Sequence, residues 1–431
     1  MQDSTATPGM IIGERWIGAP DTVPICLGEC AGRVKYVAGG DDLKAIAADA
    51  AQNGEKRIYV CDATASALRV LIPSALGFVF GQGSTLGHFA SVLRYDRLPA
   101  CISRRLWAGA KDAMAGNGPA RGELRFGRAV TPGPEARVRY EADLERYRDR
   151  LRDHRAVVPV YDAGRGAVRS PGERLAPEIG EKALAVNALL AEGCPAANAV
   201  FLTGLDAACG WLTEDAAFRS LLEARFPRFG KDGGALMVRG SLHSDDGSHA
   251  AWSGLIKSPS VTTLPELERV VAESVSQYKR LCEQLSPVTL AIILQERIAA
   301  PIHGTLCTGQ PWCCSSEGMV AELTLEPAET ETRNPVWLPD MDTAEQGALF
   351  SEKIDRLRDS DPRLAGKDLR GALDRVGCQA RALQERYGAP LDIEFVIADD
   401  MRFYFVQFRP LLRFPVAAHP GRSIARVLQK T

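Results

Sequence analysis

Between Gly77 and Ala100 the chain reads GFVFGQGSTLGHFASVLRYDRLPA, and the spacing of its apolar residues changes there from strand to helix. Leu76 to Phe80 is a short apolar run of buried-strand type, whereas Phe89, Val92 and Leu93 follow helical spacing. Gly81, Gly83 and Gly87 permit the tight turning needed between the two. His88 then falls in or near the first helical turn. Unpaired backbone N–H groups and the positive end of the helix dipole disfavour an imidazolium there and favour a bound anion. A neutral imidazole that accepts a phosphoryl group suits such a site; a lone histidine beside a glycine turn is otherwise more often structural.

The flanking sequence alternates in the same manner. Gly28 to Val37 reads as a strand, Asp41 to Gln52 as an amphipathic helix, Arg57 to Cys61 as a strand and Thr64 to Leu71 as a second short helix. This order predicts a mixed sheet flanked by helices, with the histidine loop leaving a strand end. A chain of 431 residues exceeds one ordinary core, so two or three domains are expected. The net charge of −2 makes no electrostatic case for nucleic acid or an anionic membrane. No apolar run approaches bilayer length and MQDSTATPGM lacks the blocks of a signal peptide, which together predict a cytoplasmic protein. Eleven scattered cysteines, an odd number, are expected to be reduced thiols rather than metal ligands.

Further along, Glu135 to Arg155 intersperses both charge signs and reads as a solvated helix held by i,i+4 pairs. Gly164, Gly166, Pro171 and Gly172 follow as a flexible domain connection. Ile179 to Leu190 is a helix carrying Lys182, on its own an ordinary surface lysine, and Ala199 to Leu202 is a strand. Leu236 to Lys257 reads as a strand that delivers Arg239 into a loop rich in Gly, Ser and Asp, a composition that lets backbone N–H groups approach phosphates. Thr289 to Ile298 is an apolar strand with Gln295 and Glu296 near its end; His303 to Thr308 and the segment holding Glu322 are further strands. Tyr387 to Leu411 is a hairpin turning at Asp399 and Asp400. On it Glu394 and Gln407 can face one another, with Arg409 two residues beyond on the same face as Gln407. A carboxylate and an amide oxygen suit a magnesium ion and an arginine suits phosphates, although cross-strand Glu and Arg more often form a plain surface pair.

The stretch around His88 resembles the phosphohistidine signature of phosphoenolpyruvate-utilising enzymes, carried on the swivelling domain of pyruvate phosphate dikinase and phosphoenolpyruvate synthase. Gly83, Leu86, His88, Ala90, Val92, Arg94, Pro99 and Ala100 match in spacing. Ser84 stands where the family usually has a second glycine, and Gly87 where it has a serine. Much of residues 175 to 412 resembles the nucleotide-binding domain of the same family, through the Lys182 helix, the Arg239 loop with Ser241, Asp245 and Gly254, the Gln295 strand, and DIEF followed by VQFRP.

The resemblance implies an α/β chain made of a small swivelling phosphohistidine domain (1–131), a charged helical linker (132–174), an ATP-grasp domain of two α+β subdomains (175–415) and a C-terminal tail (416–431). It implies ATP held by Lys182, Arg239, Ser241, Asp245, Gln295, Glu296 and Arg409, with Mg2+ at Glu394 and Gln407. His88 would take a phosphoryl group, the β-phosphate as in the family, leaving AMP, and pass it to a small organic acceptor. That acceptor would bind between the domains or be presented by a partner subunit, because no stretch resembles the barrel that binds phosphoenolpyruvate or pyruvate. The glycine-rich loop expected after Glu322 is replaced by EPAETETRNPVW. Two alternatives stand beside this reading: an ATP-dependent condensing enzyme resembling prodigiosin-type ligases, and a non-catalytic regulatory subunit that keeps the fold.

Overall fold

In the computed structural model the described residues are 9–12, 15–18, 22–114, 121–126, 134–169, 172–175, 179–205, 214–231, 233–244, 258–282, 288–309, 318–325, 336–338, 354–355, 357–359 and 361–411. The chain divides into two units. The first comprises Met1–Tyr140, Thr305–Lys353 and Leu411–Thr431, and the second Glu141–Gly304 and Ile354–Pro410. The chain leaves each unit and returns to it.

The first unit is built on an eight-stranded sheet. Its strands are β1 (Gly9–Ile12), β2 (Arg15–Gly18), β3 (Val23–Cys26), β4 (Gly28–Val37), β5 (Arg57–Ala63), β6 (Ala75–Gln82), β7 (Ala100–Ile102) and β8 (Arg121–Phe126), in the order β2-β1-β8-β4-β5-β6-β7-β3. The run β4-β5-β6-β7 is parallel. Helices α1 (Leu43–Gln52), α2 (His88–Tyr95) and α3 (Arg104–Met114) belong to this unit. Alternation along the central strands sorts the core into two layers. Tyr59, Cys61, Phe78 and Phe80 pack with Phe89, Val92 and Leu93 of α2, while Ile58, Val60 and Val79 pack with Leu106 and Ala110 of α3. Asp42 caps α1 by accepting from the Lys44 and Ala45 amides, which starts that helix just after the expected point. The short helix expected at Thr64 to Leu71 is a 3-10 segment, Ser66–Ser74, with Pro73 inside it. Proline lacks the N–H that an α-helical ladder would require.

The second unit contains α4 (Pro134–Asp153) from Glu141 onward, β9 (Val160–Asp162), β10 (Ala167–Arg169), α5 (Glu181–Ala191), β11 (Ala199–Thr203), α6 (Ala216–Arg225), β12 (Leu236–Ser244), β13 (Ser260–Val261), α7 (Leu264–Cys282) and β14 (Val288–Glu296). These strands form a six-stranded sheet in the order β10-β9-β11-β14-β12-β13. One face carries Val200, Leu202, Leu236, Val238, Ile292 and Leu294 against Phe218 and Leu222 of α6 and Leu267, Val270 and Val271 of α7. Residues 160–169 supply two strands, and Leu144, Tyr147 and Leu151 of α4 are buried. Tyr147 meets the rings of Tyr387 and Phe408, so the sparse apolar positions of this charged helix are its packing face and not a solvated one.

Beyond β14 come β15 (Ile302–Cys307), β16 (Val320–Leu325) and β17 (Val336–Leu338). β16 and β17 pair antiparallel, and Cys307, Val320 and Leu411 form a small buried cluster with Leu86 of the first unit, to which all four belong. The helix Leu369–Tyr387 and the antiparallel hairpin β18 (Leu391–Ile397) and β19 (Phe403–Pro410) complete the second unit. No described helix is long and apolar enough to cross a membrane.

Candidate functional site

In the second unit Lys182 is the second residue of α5. Gly180, which precedes the helix, has φ +86°, and a Cβ there would lie 2.5 Å from Ser241 Oγ and 2.8 Å from the Leu242 carbonyl oxygen. The glycine thus allows α5 to begin directly against β12. Having no side chain, it cannot cap the helix; the hydroxyl of Ser241 does so from β12, accepting the Ala183 amide at 3.1 Å. Ser241, expected at phosphate, is fully buried in this role.

Arg239 lies two residues before Ser241, on the same face of β12. It was expected at the strand's end, but β12 continues to Ser244, so Arg239 is a mid-strand residue, 7% exposed. Its Nη1 donates to Gln295 Oε1 at 3.1 Å. Its Nη2 donates to Glu394 Oε2 at 3.0 Å and to Gln407 Oε1 at 2.8 Å. Glu394 and Gln407 are direct partners across β18 and β19, as the hairpin pattern predicts, and Gln407 Nε2 donates to Glu394 Oε1 at 2.5 Å. Arg409 is opposite Asp392, to which its Nε and Nη2 donate at 2.9 and 2.7 Å. The register shifts immediately after Glu394, leaving Val406 as the extra residue of a bulge, and its carbonyl accepts Gln295 Nε2 at 3.1 Å. Gln295 is therefore a buried tie between β14 and the hairpin, with both ends of its amide engaged.

Electrostatics couples the cluster. Burial, then the guanidinium of Arg239, push the Lys182 amine down to about 7, against the opposing pull of Glu394. Burial alone would raise the Glu394 carboxyl, but Arg239, Arg409 and Lys182 outweigh it and hold the group below its ordinary value. Three cationic side chains (Lys182, Arg239, Arg409) converge with two carboxylates (Glu394, Asp392), leaving one positive charge in excess when Lys182 is protonated. Such a site favours a polyanion. Glu296 is not drawn into it: the residue ends β14, where its carboxylate accepts Asn198 Nδ2 at 3.1 Å. Asp245 lies outside the described residues.

In the first unit His88 is the first residue of α2, as expected, with Gly87 as the cap. The turn before it has found an anion within the chain. The carboxylate of Glu322, on β16 and 5% exposed, accepts the amides of Thr85 and Leu86 and the hydroxyls of Ser84 and Thr85. Ser84 Oγ also accepts the Gly87 amide at 2.5 Å, and a Cβ on Gly87 would lie 2.8 Å from that oxygen. Serine at 84 and glycine at 87 are thus a matched pair, one supplying the hydroxyl and the other the space for it. Sequence reading placed Glu322 on a strand without a role; no local pattern could join residues 237 apart in the chain. Asp392 was also missed, although its alternation with Glu394 in DIEF is a visible signal.

No protein-family model and no curated protein matches this chain. Among solved structures it is similar to the D-alanine–D-alanine ligase from Coxiella burnetii, with 13% identity over 56% of this chain and 49% of that one and a TM-score of 0.30. It is also similar to the D-cycloserine synthetase DcsG (13% identity, 59% and 70%, TM-score 0.29) and to the ADP complex of N5-carboxyaminoimidazole ribonucleotide synthetase (11% identity, 90% and 72%, TM-score 0.28). The match spans about half the length of the Coxiella ligase. At these TM-scores the likeness adds nothing to what the site's own geometry says.

Proposed function

We propose that the chain is an ATP-dependent phosphoryl-transfer enzyme whose triphosphate site is the charged cluster of the second unit. The observation that carries this reading is the convergence of Lys182, Arg239 and Arg409 with Glu394 and Gln407. Lys182, near a helix N-terminus, and the two arginines are suited to phosphate oxygens. Glu394 Oε2 and Gln407 Oε1 both reach a single nitrogen of Arg239, so the two oxygens already converge on one cation, and their donor types suit magnesium completed by phosphates and water. Bound there, magnesium would neutralise charge on the phosphates. The protein's own part is to orient the triphosphate and offset its charge, which supplies most of the catalysis in reactions of this type.

The phosphoryl group has two possible routes. The resemblance around His88 supports transfer through a phosphohistidine: the imidazole attacks the β-phosphorus, AMP leaves, and water then cleaves the γ-phosphate from the pyrophosphoryl group as inorganic phosphate. A specific observation favours the other route, direct attack of an acceptor oxygen on the γ-phosphorus with ADP leaving, as in a condensing enzyme. The Thr85 and Leu86 amides of the turn entering α2, which a phosphoryl group at His88 would call on, are already taken by Glu322. ATP labelled in the β or γ position separates the routes. Acid-labile, base-stable protein phosphate that disappears in His88→Ala supports the carrier route. ADP formation that requires an organic acceptor and survives His88→Ala supports the direct route. Failure of wild-type protein to bind ATP, or equal binding by Lys182→Ala, would sink the site itself.

A further inference from the structure

We infer that Arg239 is a built-in stand-in for the divalent cation: it holds the two oxygens that a metal would use and leaves them only when nucleotide phosphates draw it away. The inference rests on the nucleotide site proposed above and concerns the order in which its occupants enter.

The geometry carries it in three steps. First, Nη2 of Arg239 is 3.0 Å from Glu394 Oε2 and 2.8 Å from Gln407 Oε1, so a metal ion bridging these oxygens and the guanidinium nitrogen claim the same space. Second, a dication arriving alone would leave Arg239 displaced beside it, with Lys182 nearby and Arg409 on the adjoining strand position; Asp392 is already committed to Arg409. Like charges at this range in a partly desolvated site repel, so metal alone is disfavoured. Third, Arg239 has a reason to move toward an anion. Its Nε is buried and has no hydrogen-bond partner among the described residues, and the side chain is 9% exposed. An unmet donor on a charged group is an acceptor site in waiting. A polyphosphate would meet that donor, and the vacated oxygens would then hold the metal that accompanies it. Metal and nucleotide binding become one coupled event, and by linkage each raises affinity for the other.

The test is binding of Mn2+ to the full chain, followed by water-proton relaxation, which separates protein-bound Mn2+ from Mn2+ on free nucleotide. Wild type is expected to bind Mn2+ at least about tenfold more tightly with ADP present than without it, within the usual range of such couplings. Arg239→Met is expected to bind Mn2+ without nucleotide at least about tenfold more tightly than wild type, and Arg239→Met combined with Glu394→Gln to lose that gain. Arg148→Met removes a positive charge of the same unit, one held by Glu145 and Glu181, without freeing either oxygen, and is expected to stay within about threefold of wild type. Equal Mn2+ affinity of wild type with and without ADP overturns the inference, as does an equal gain in Arg148→Met and Arg239→Met. If Arg239→Met does not fold, the wild-type comparison decides alone. Nucleotide binding is measured separately with Mg2+ in excess: its absence overturns the nucleotide site, whereas nucleotide binding without metal coupling overturns only the role given to Arg239.

Discussion

Lys182 is the residue whose behaviour the surroundings change most usefully. With its amine near 7 it is largely neutral at pH 8, and a bound polyphosphate would restore its charge. Nucleotide binding at pH 8 is therefore expected to take up close to one proton, and affinity to fall by up to about tenfold per pH unit above 7 while being level below it. Calorimetry in two buffers of different ionisation enthalpy measures the uptake, and Lys182→Met should abolish it. Gly180 bears a steric demand of equal clarity. Gly180→Ala places a Cβ 2.5 Å from Ser241 Oγ at φ +86°, and is expected to cost about 1–3 kcal/mol, read as a lower urea midpoint with unchanged slope. Gly180, two residues before Lys182, is visible in the sequence. That Ser241 would supply the cap which Gly180 cannot is not visible, because that bond joins residues 58 apart.

At the scale of elements, the strand-turn-helix around His88 and the β18–β19 hairpin were both legible from apolar period and turn chemistry. The hairpin register, Glu394 against Gln407, followed from alternation alone. The bulge at Val406 did not, since it is stabilised by Gln295 from another strand. The turn Ser84–Leu86 is likewise completed from outside by Glu322. Glu322→Ala would strip a buried carboxylate from two amides and two hydroxyls, leaving donors unpaired. It is expected to destabilise the first unit by about 1–3 kcal/mol and to speed hydrogen exchange at the Thr85 and Leu86 amides selectively. Unchanged exchange at those two amides would show that Glu322 does not hold the turn.

At the scale of the whole molecule, neither unit is a continuous piece of chain. Tyr147 of α4 is 1% exposed because Tyr387 and Phe408, contributed from beyond residue 354, cover it. A fragment spanning residues 141–304 lacks those rings and the β18–β19 half of the charged cluster. It is expected to show no cooperative thermal transition and no nucleotide binding, both measurable on the isolated fragment. A cooperative transition in that fragment would show that the returning segment is dispensable to the core.

What the sequence by itself determined is local. Strand and helix periods, the glycine turn before His88, the pairing of Glu394 with Gln407 and the presence of Lys182 at a helix start all follow from spacing within a few residues. Only the tertiary structure decided which of these groups meet. Arg239 bridges Glu394 and Gln407 over separations of 155 and 168 residues, and Glu322 reaches the turn before His88 over a separation of 237. Periodicity reports which face a side chain occupies on its own element, and nothing about what the facing element brings to it. That is why the candidate residues could be named from the chain, while the groups that face them in the fold, Arg239 at Glu394 and Gln407 and Glu322 at the turn before His88, could not.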